Sequence, residues 1–163
     1  MATKNKNLSS FDPKTIPSGR GKKIGLVISE WNTEITEGLK EGAVDVLEAC
    51  GTSMTDILIE YVPGTFELPL GAQVLLESNK VDAVIAIGCV VRGETAHFDY
   101  VCQGVTQGIQ EVSLRFSQPV MFCVLTDDTI QQSRDRSGGK YGNKGTEAAV
   151  GALKMLGLKE RLK

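Results

Sequence analysis

The only histidine of this 163-residue chain, His97, lies in the stretch GCVVRGETAHFDY, which spans residues 88–100. An imidazole titrates near neutral pH and can relay protons in catalysis. The backbone amides of Glu94 and Thr95 open toward the helix predicted from Tyr100, and free amides at a helix start favour an anion. A lone histidine in a loop often has only a structural role, but the neighbouring Glu94 and Thr95 favour a catalytic role here. The stretch indicates an anion-binding turn beside a proton donor, which suits a phosphorylated small substrate.

Two other loops carry side chains that could contact a ligand. Trp31, the only tryptophan, follows a short apolar run, and Glu67 follows the Pro63-Gly64 turn. The indole either covers the top of the core or offers a flat face on which a heterocycle stacks. Glu67 is either an acid favoured by a helix dipole or an acceptor for a polyol or ring N–H. Both interpretations stay open for both residues.

The apolar pattern predicts strands and helices in alternation. Strands are expected over residues 24–28, 56–62, 81–91 and 119–126, and helices over 34–50, 66–78, 100–116, 127–137 and 146–156. Before the last helix, which Thr146 is expected to cap, the glycines of residues 138–145 predict a flexible connection. Strands that are apolar on both faces are typical of a covered parallel sheet. We therefore predict an α/β fold that binds its ligand at the carboxyl ends of the strands.

Length and polar composition indicate one domain with an N-terminal extension. Residues 1–22 are rich in Lys, Asn, Ser, Pro and Gly, and are expected to form a flexible arm. The alternative is an arm that becomes ordered by packing on a neighbouring subunit. Residues 23–163 are expected to form a single domain.

Charge and motif content exclude several classes of function. Lys plus Arg number 18 and Asp plus Glu number 20, so the formal net charge is −2 and no nucleic-acid partner is expected. No segment has the length of a membrane span or the pattern of a signal peptide, so we expect no membrane association and a cytoplasmic protein. The four cysteines form no CxxC pair, which argues against a metal site and favours free thiols. No GxGxxG or GxxxxGK[ST] motif is present.

Five segments then carry a resemblance to a known family. IGLVISEWN, VPGTFELP, GCVVRGETAHFDYV, PVMFCVLT and DRSGGKYGNKG resemble 6,7-dimethyl-8-ribityllumazine synthases over residues 23–156. The resemblance implies a flavodoxin-like three-layer α/β/α sandwich with a four-stranded parallel sheet. It also implies a transferase that condenses 5-amino-6-(D-ribitylamino)uracil with 3,4-dihydroxy-2-butanone 4-phosphate. The products are the lumazine, phosphate and water, in the penultimate step of riboflavin biosynthesis, and no metal or organic cofactor is needed.

The resemblance also assigns roles to residues by position. It makes His97 the proton shuttle. The pyrimidine and ribityl contacts would be Trp31, Thr65, Phe66, Glu67, Cys89, Val90, Val91 and Phe122, and the phosphate contacts Glu94, Thr95, Arg136 and Lys144. The site in this family straddles two subunits, with Phe122, Arg136 and Lys144 supplied by the neighbouring chain. Relatives often have phenylalanine in place of Trp31 and a basic residue in place of Glu30.

Assembly follows from a shared site, so a homo-oligomer is expected. Relatives form pentamers, and in many of them twelve pentamers close into an icosahedral shell. The short SGGKYGNKG connection favours the shell here. The alternative function is a non-catalytic shell protein that binds flavins or pyrimidines on the same scaffold. Such a protein would keep Trp31 and Glu67 but would not need His97, Thr95 and Arg136 together.

Overall fold

A four-stranded parallel sheet forms the centre of the molecule. The computed structural model describes residues 9–78 and 80–162. The strands are β1 (Ile24–Ser29), β2 (Ile57–Val62), β3 (Ala83–Val91) and β4 (Val120–Asp127). They lie in the order β2-β1-β3-β4, and every neighbouring pair is parallel. The predicted α/β fold with a four-stranded parallel sheet is confirmed.

Helices cover both faces of this sheet. They are α1 (Thr33–Ala49), α2 (Leu68–Glu77), α3 (His97–Phe116), α4 (Ile130–Arg134) and α5 (Lys144–Arg161). Side chains of α1 and α5 share one apolar core with the sheet, and those of α2 and α3 share the other. This three-layer arrangement is the flavodoxin-like sandwich that the resemblance implies.

Successive side chains of a strand point to opposite faces of the sheet, which explains why these strands are apolar on both faces. Leu26 and Ile28 of β1 pack toward α1 and α5, whereas Val27 between them packs toward α2 and α3. Val84 and Ile85 of β3 divide between the two cores in the same way. All five side chains are fully buried, and each such burial is worth about 1.5–3 kcal/mol. The helices are therefore held to the sheet mainly by apolar contact.

Several helices differ from their predicted bounds, and α5 runs over Lys144–Arg161 rather than residues 146–156. α3 begins at His97 rather than at Tyr100, because the carbonyl of Ala96 accepts hydrogen bonds from the amides of Asp99 (3.0 Å) and Tyr100 (3.4 Å). His97 is thus the first residue of a helix and not a loop residue. The helix predicted over residues 127–137 is only five residues long, because β4 runs to Asp127, Thr129 caps the start of the helix and a further strand begins at Ser137.

The glycine-rich connection before α5 forms a hairpin, whereas its flexibility stays a prediction. Its strands are β5 (Ser137–Gly139) and β6 (Gly142–Asn143), which pair antiparallel. The cap of α5 is Asn143, whose Oδ1 accepts a hydrogen bond from the amide of Gly145 at 2.8 Å. The predicted cap, Thr146, lies inside the helix, where its hydroxyl donates to the carbonyl of Gly42 at 3.2 Å.

The segment expected as an arm falls into two parts. Residues 1–8 lie outside the described residues. The following segment contains a short 3-10 helix, Pro13–Thr15, and then runs along the domain. Ile16 is buried, and the amide of Gly19 donates to the carbonyl of Cys50 at 2.9 Å. The domain boundary at residue 22 and the flexibility of the arm stay predictions.

Candidate active site

An open pocket of about 630 Å³ lies at the carboxyl ends of β1, β2 and β3. This volume is in the range that holds small-molecule ligands. The lining residues come from the segments that follow β1 and β2, from the last residues of β3 and from the first turns of α3. They are Trp31, Asn32, Gly64, Thr65, Phe66, Glu67, Cys89, Val90, Val91, His97, Tyr100 and Val101. Eight of these twelve are residues that the sequence assigned to the site, and they converge as expected for a parallel sheet.

The inner wall of the pocket is an unpaired edge of β3. β1 pairs with β3 only as far as Ile28 opposite Ile87, whereas β4 pairs with β3 as far as Val91. The peptide groups of a strand point alternately to its two sides. The amide of Arg92 donates to β4, so the peptide groups of Cys89 and Val91 point toward the β1 side. Beyond the end of β1 they face the pocket and can bond a planar ring.

Asn32 closes one end of this edge. Its side-chain Nδ2 donates a hydrogen bond to the carbonyl oxygen of Cys89 at 2.9 Å. Its backbone is left-handed, with φ of 60°, a conformation that asparagine tolerates better than most residues. Cys89 itself is buried, and burial raises the pKa of its thiol. The thiol is therefore part of the wall and not a ready nucleophile.

Trp31 projects from the turn that Asn32 ends. The indole is 72% exposed, so it does not cover the core. It borders the pocket, and a Cβ added to Gly64 would lie 3.6 Å from its Cδ1. The arrangement leaves a broad aromatic face free to stack on a ligand.

The 3-10 helix Thr65–Glu67 forms a further part of the pocket wall. Thr65 is buried, and its hydroxyl donates to that of Ser29 at 3.4 Å. Phe66 is exposed at the rim, and its ring lies against Gly104, where a Cβ would approach within 2.6 Å. Within the described part of the chain, the exposed carboxylate of Glu67 makes no hydrogen bond or ion pair. It is available to accept hydrogen bonds from a ligand.

His97 enters the pocket from the first turn of α3. Its backbone amide donates to the hydroxyl of Thr95 at 3.4 Å, and its side chain is exposed. Tyr100, three residues on, lines the pocket from the same face of the helix. Glu94 and Thr95 are exposed in the loop before the helix but do not line the pocket. They lie next to His97 at the amino end of α3, where an anion is favoured.

Comparison with known proteins identifies the family. Residues 21–160 match the family model of 6,7-dimethyl-8-ribityllumazine synthase. The chain belongs to the 6,7-dimethyl-8-ribityllumazine synthase family. It is 54% identical over 161 residues to the 6,7-dimethyl-8-ribityllumazine synthase of Flavobacterium psychrophilum, covering 99% of this chain and 85% of that one. The Porphyromonas gingivalis enzyme of that name is 55% identical over 158 residues, covering 97% and 98%. Nothing in these comparisons favours a non-catalytic binding protein.

Three residues assigned by resemblance to lumazine synthases lie away from this pocket. Phe122 is exposed on the edge strand β4. The guanidinium of Arg136 donates to the carbonyl of Gln132 at 2.8 Å and lies 5.2 Å from the ring centroid of Tyr141. The ammonium of Lys144 pairs with Glu147, 2.7 Å from Oε1. One chain does not bring these residues to its own pocket, and their role in a neighbour's pocket stays a prediction.

Four pocket residues were missed in the sequence. The sequence indicates only a turn at Gly64 and only an apolar helical stripe at Val101. Tyr100 follows His97 at helical spacing, but α3 was expected to begin only there. Asn32 is adjacent to Trp31, and its role depends on a hydrogen bond to a residue 57 positions later. In the described residues, no cluster of three potential metal-ligating side chains is present. None of the helices in that part is long and apolar enough to cross a membrane.

Proposed function

We propose that the protein is a transferase that condenses 5-amino-6-(D-ribitylamino)uracil with 3,4-dihydroxy-2-butanone 4-phosphate. The products are 6,7-dimethyl-8-ribityllumazine, phosphate and water, as in the penultimate step of riboflavin biosynthesis. One observation carries the proposal. In a chain of the lumazine synthase family, the indole of Trp31, the carboxylate of Glu67 and the single imidazole, His97, open into one pocket.

The reaction needs proton transfers and correct placement of two reactants. The uracil amine attacks the ketone to form an imine, and water leaves. Phosphate then leaves by elimination, and the second amine closes the ring with loss of another water. Each step moves a proton, which His97 can relay, and such general acid–base catalysis contributes about 10²–10⁴-fold. Holding both reactants in attack geometry can supply about 7–11 kcal/mol, so positioning is expected to outweigh His97.

The pocket walls support distinct contacts to the pyrimidine substrate. Trp31 would stack on the ring, while the free β3 edge over residues 89–91 would bond the uracil amide groups. Thr65 and Phe66 would border the ribityl chain. The carboxylate of Glu67 would accept hydrogen bonds from the ribityl hydroxyls.

The phosphate is assigned to the start of α3. The amides of Glu94 and Thr95 lie at the amino end of a 20-residue helix, where backbone N–H groups attract anions. Arg136 and Lys144 of a neighbouring chain would complete this site. The planar guanidinium of Arg136 suits the bidentate binding of a phosphate.

A homo-oligomer is part of this proposal, because the pocket of one chain does not contain Arg136 and Lys144, which a neighbouring chain would supply. Exposed apolar side chains around the pocket and along α2 support an interface, namely Phe66, Leu70, Val74 and Tyr100. We propose a pentamer, further assembled into an icosahedral shell, since the connection before α5 is only a short hairpin. Light scattering would test this, and a mass near that of one pentamer would contradict the shell.

The four free cysteines support a reducing compartment, for which we propose the cytoplasm.

The decisive experiment mixes the two substrates with the protein and follows lumazine absorbance and fluorescence. The control is the same mixture without protein, because the condensation also proceeds uncatalysed. We expect the protein to accelerate lumazine formation severalfold or more. A rate equal to that of the protein-free mixture would overturn the proposed activity.

A further inference from the structure

Arg92 joins three segments around the start of α3. Its backbone amide donates to the carbonyl of Asp127 at 2.9 Å. Its Nε donates to Oδ1 of Asp128 at 2.8 Å, and its Nη2 donates to Oδ1 of Asp99 at 3.2 Å. Its Cζ lies 4.1 Å from the ring centroid of Phe98. One side chain therefore links the end of β3, the β4–α4 loop and the first turn of α3.

The charge balance argues against a direct role of Arg92 in binding the phosphate. Its single positive charge lies between two carboxylates, those of Asp99 and Asp128, so the cluster carries a net negative charge. Arg92 is also not among the residues that line the pocket. Two of its guanidinium N–H donors, on Nε and Nη2, bond protein carboxylates and not an anion in the pocket.

The segment that Arg92 holds begins with His97. Phe98 and Asp99, which Arg92 contacts, are the next two residues of the same helical turn. On the other side, His97 is preceded by exposed loop residues, and its amide makes one long hydrogen bond to Thr95. We infer that Arg92 is a positioning residue that fixes the start of α3 and so aims the imidazole of His97 into the pocket. This inference rests on the proton-relay role proposed for His97.

The expected sizes of the effects on stability and on turnover distinguish a positioning role of Arg92 from a purely structural one. The side chains of Arg92, Asp99 and Asp128 are 43%, 50% and 68% exposed, and ion pairs at such exposure contribute little to stability. Misplacing a catalytic group by about 1 Å can cost on the order of 10²-fold in rate. Loss of Arg92 should therefore affect turnover far more than stability. Lysine should not replace it, because an ammonium cannot fork between two carboxylates while stacking on a ring.

A double-mutant cycle tests the inference. Arg92→Ala should lower kcat by roughly 10- to 100-fold with both KM values nearly unchanged. In a His97→Ala background the same change should cost less than about twofold, because residues that act as a unit are non-additive. Arg92→Lys should not restore turnover. The matched control is Arg115→Ala, which removes an exposed arginine paired with Glu111 at 3.2 Å in the same helix and should leave kcat unchanged.

Chemical modification gives a second readout that does not depend on activity. Because the chain has one histidine, the ultraviolet signal of carbethoxylation by diethyl pyrocarbonate reports on His97 alone. Arg92→Ala should change the rate constant for carbethoxylation of His97 severalfold, and Arg115→Ala should leave it unchanged. Equal losses of kcat in both backgrounds, or an unchanged modification rate in Arg92→Ala, would overturn the inference. A wild-type protein that forms no lumazine while its modification rate still responds to Arg92→Ala would instead overturn the proposed activity.

Discussion

The side chain of Asn32 donates a hydrogen bond to the main-chain carbonyl of Cys89, 2.9 Å away. The bond ties the turn after β1 to the part of β3 that β1 no longer pairs. Since Asn32 also has a left-handed backbone, the same residue ends the turn from which Trp31 projects. One side chain thus sets the spacing between the stacking face and the free strand edge.

We predict that Asn32→Ala destabilises the fold and weakens pyrimidine binding. The variant leaves the carbonyl of Cys89 without its partner and puts a Cβ-bearing residue with no local hydrogen bond in a left-handed conformation. Together these should lower the free energy of unfolding by about 1–3 kcal/mol. Urea denaturation measures the loss, and steady-state kinetics should show a raised KM for the uracil substrate.

Asn32→Gly is the matched control for backbone strain. Glycine adopts the left-handed conformation without steric cost, yet it lacks the amide donor. The glycine variant should therefore recover part of the stability and keep the raised KM. A wild-type KM in Asn32→Gly would show that the hydrogen bond does not shape the pocket.

Trp31→Ala should separate binding from folding. Because the indole is 72% exposed, its removal should change stability by no more than about 0.5 kcal/mol. Loss of a stacking face should weaken binding of the pyrimidine by about 1–3 kcal/mol. Isothermal titration calorimetry with the uracil substrate compares the affinities of the wild type, Trp31→Ala and Trp31→Phe, since both variants lack the only tryptophan of the chain as a fluorescent reporter. Trp31→Phe should keep most of the affinity, and a variant that loses stability but not affinity would contradict the stacking role.

His97→Ala should slow turnover without abolishing it. The loss should be at most about 10²–10⁴-fold, the usual contribution of a general acid–base. The two substrates should still be held in attack geometry, so lumazine formation should remain clearly faster than in the protein-free mixture. Complete loss of activity in a variant that still binds both substrates would count against the dominance of positioning.

Mixed assemblies test whether the site is shared between chains. His97→Ala and Arg136→Ala are each expected to be weakly active alone, with Arg136→Ala chiefly impaired in its use of the butanone phosphate. When the two are assembled together at equal amounts, about a quarter of the sites should join an intact pocket to an intact neighbouring arginine. Activity should rise accordingly above that of either variant.

The control mixture combines His97→Ala with Trp31→Ala. Both residues line the same pocket of one chain, so no mixed site contains both intact side chains. This mixture should gain nothing over its components. Recovery in the control, or none in the test mixture, would contradict a site shared between neighbours.

The sequence predicted the parts of the fold that depend on apolar burial. Strands that are apolar on both faces indicated a parallel sheet covered by helices. Because ligands bind at the carboxyl ends of parallel strands, Trp31, Glu67 and His97 were expected at one edge of the sheet, where they line the pocket. The start of α3 was wrong by three residues, because the carbonyl that begins the helix belongs to Ala96, which carries no capping side chain. The hairpin before α5 was missed because its glycines gave only a general signal for a turn.

Features that depend on distant partners could not be predicted. The left-handed turn at Asn32 is stabilised by a carbonyl of β3, and the loop at Arg92 is held by aspartates of two other segments. No local pattern encodes these pairings. The residues that a neighbouring chain would supply came only from the family resemblance, and one chain cannot test them.

Glu34 and Arg134 give a prediction for the pH dependence of stability. Two hydrogen bonds, each 2.9 Å long, join the guanidinium of Arg134 at the end of α4 to the carboxylate of Glu34 in the first turn of α1. The hydrogen bond from Arg134 is the main cause that lowers the pKa of Glu34 below its ordinary value. A lowered pKa in the folded state means that the pair stabilises the fold above the pKa of the unfolded carboxyl. That stabilisation is lost as the pH falls through the folded value.

Glu34→Gln should therefore lower the unfolding temperature slightly at neutral pH, and the difference from wild type should disappear as the pH falls through the lowered pKa of Glu34. The effect should be small, because both side chains are exposed and solvent screens the pair. In an Arg134→Ala background the same substitution should change the pH profile much less, since the cause of the lowered pKa is gone. Thermal unfolding of the four proteins across this pH range measures both effects. A difference that grows in acid would mean that the carboxylate is not stabilised in its charged form by Arg134.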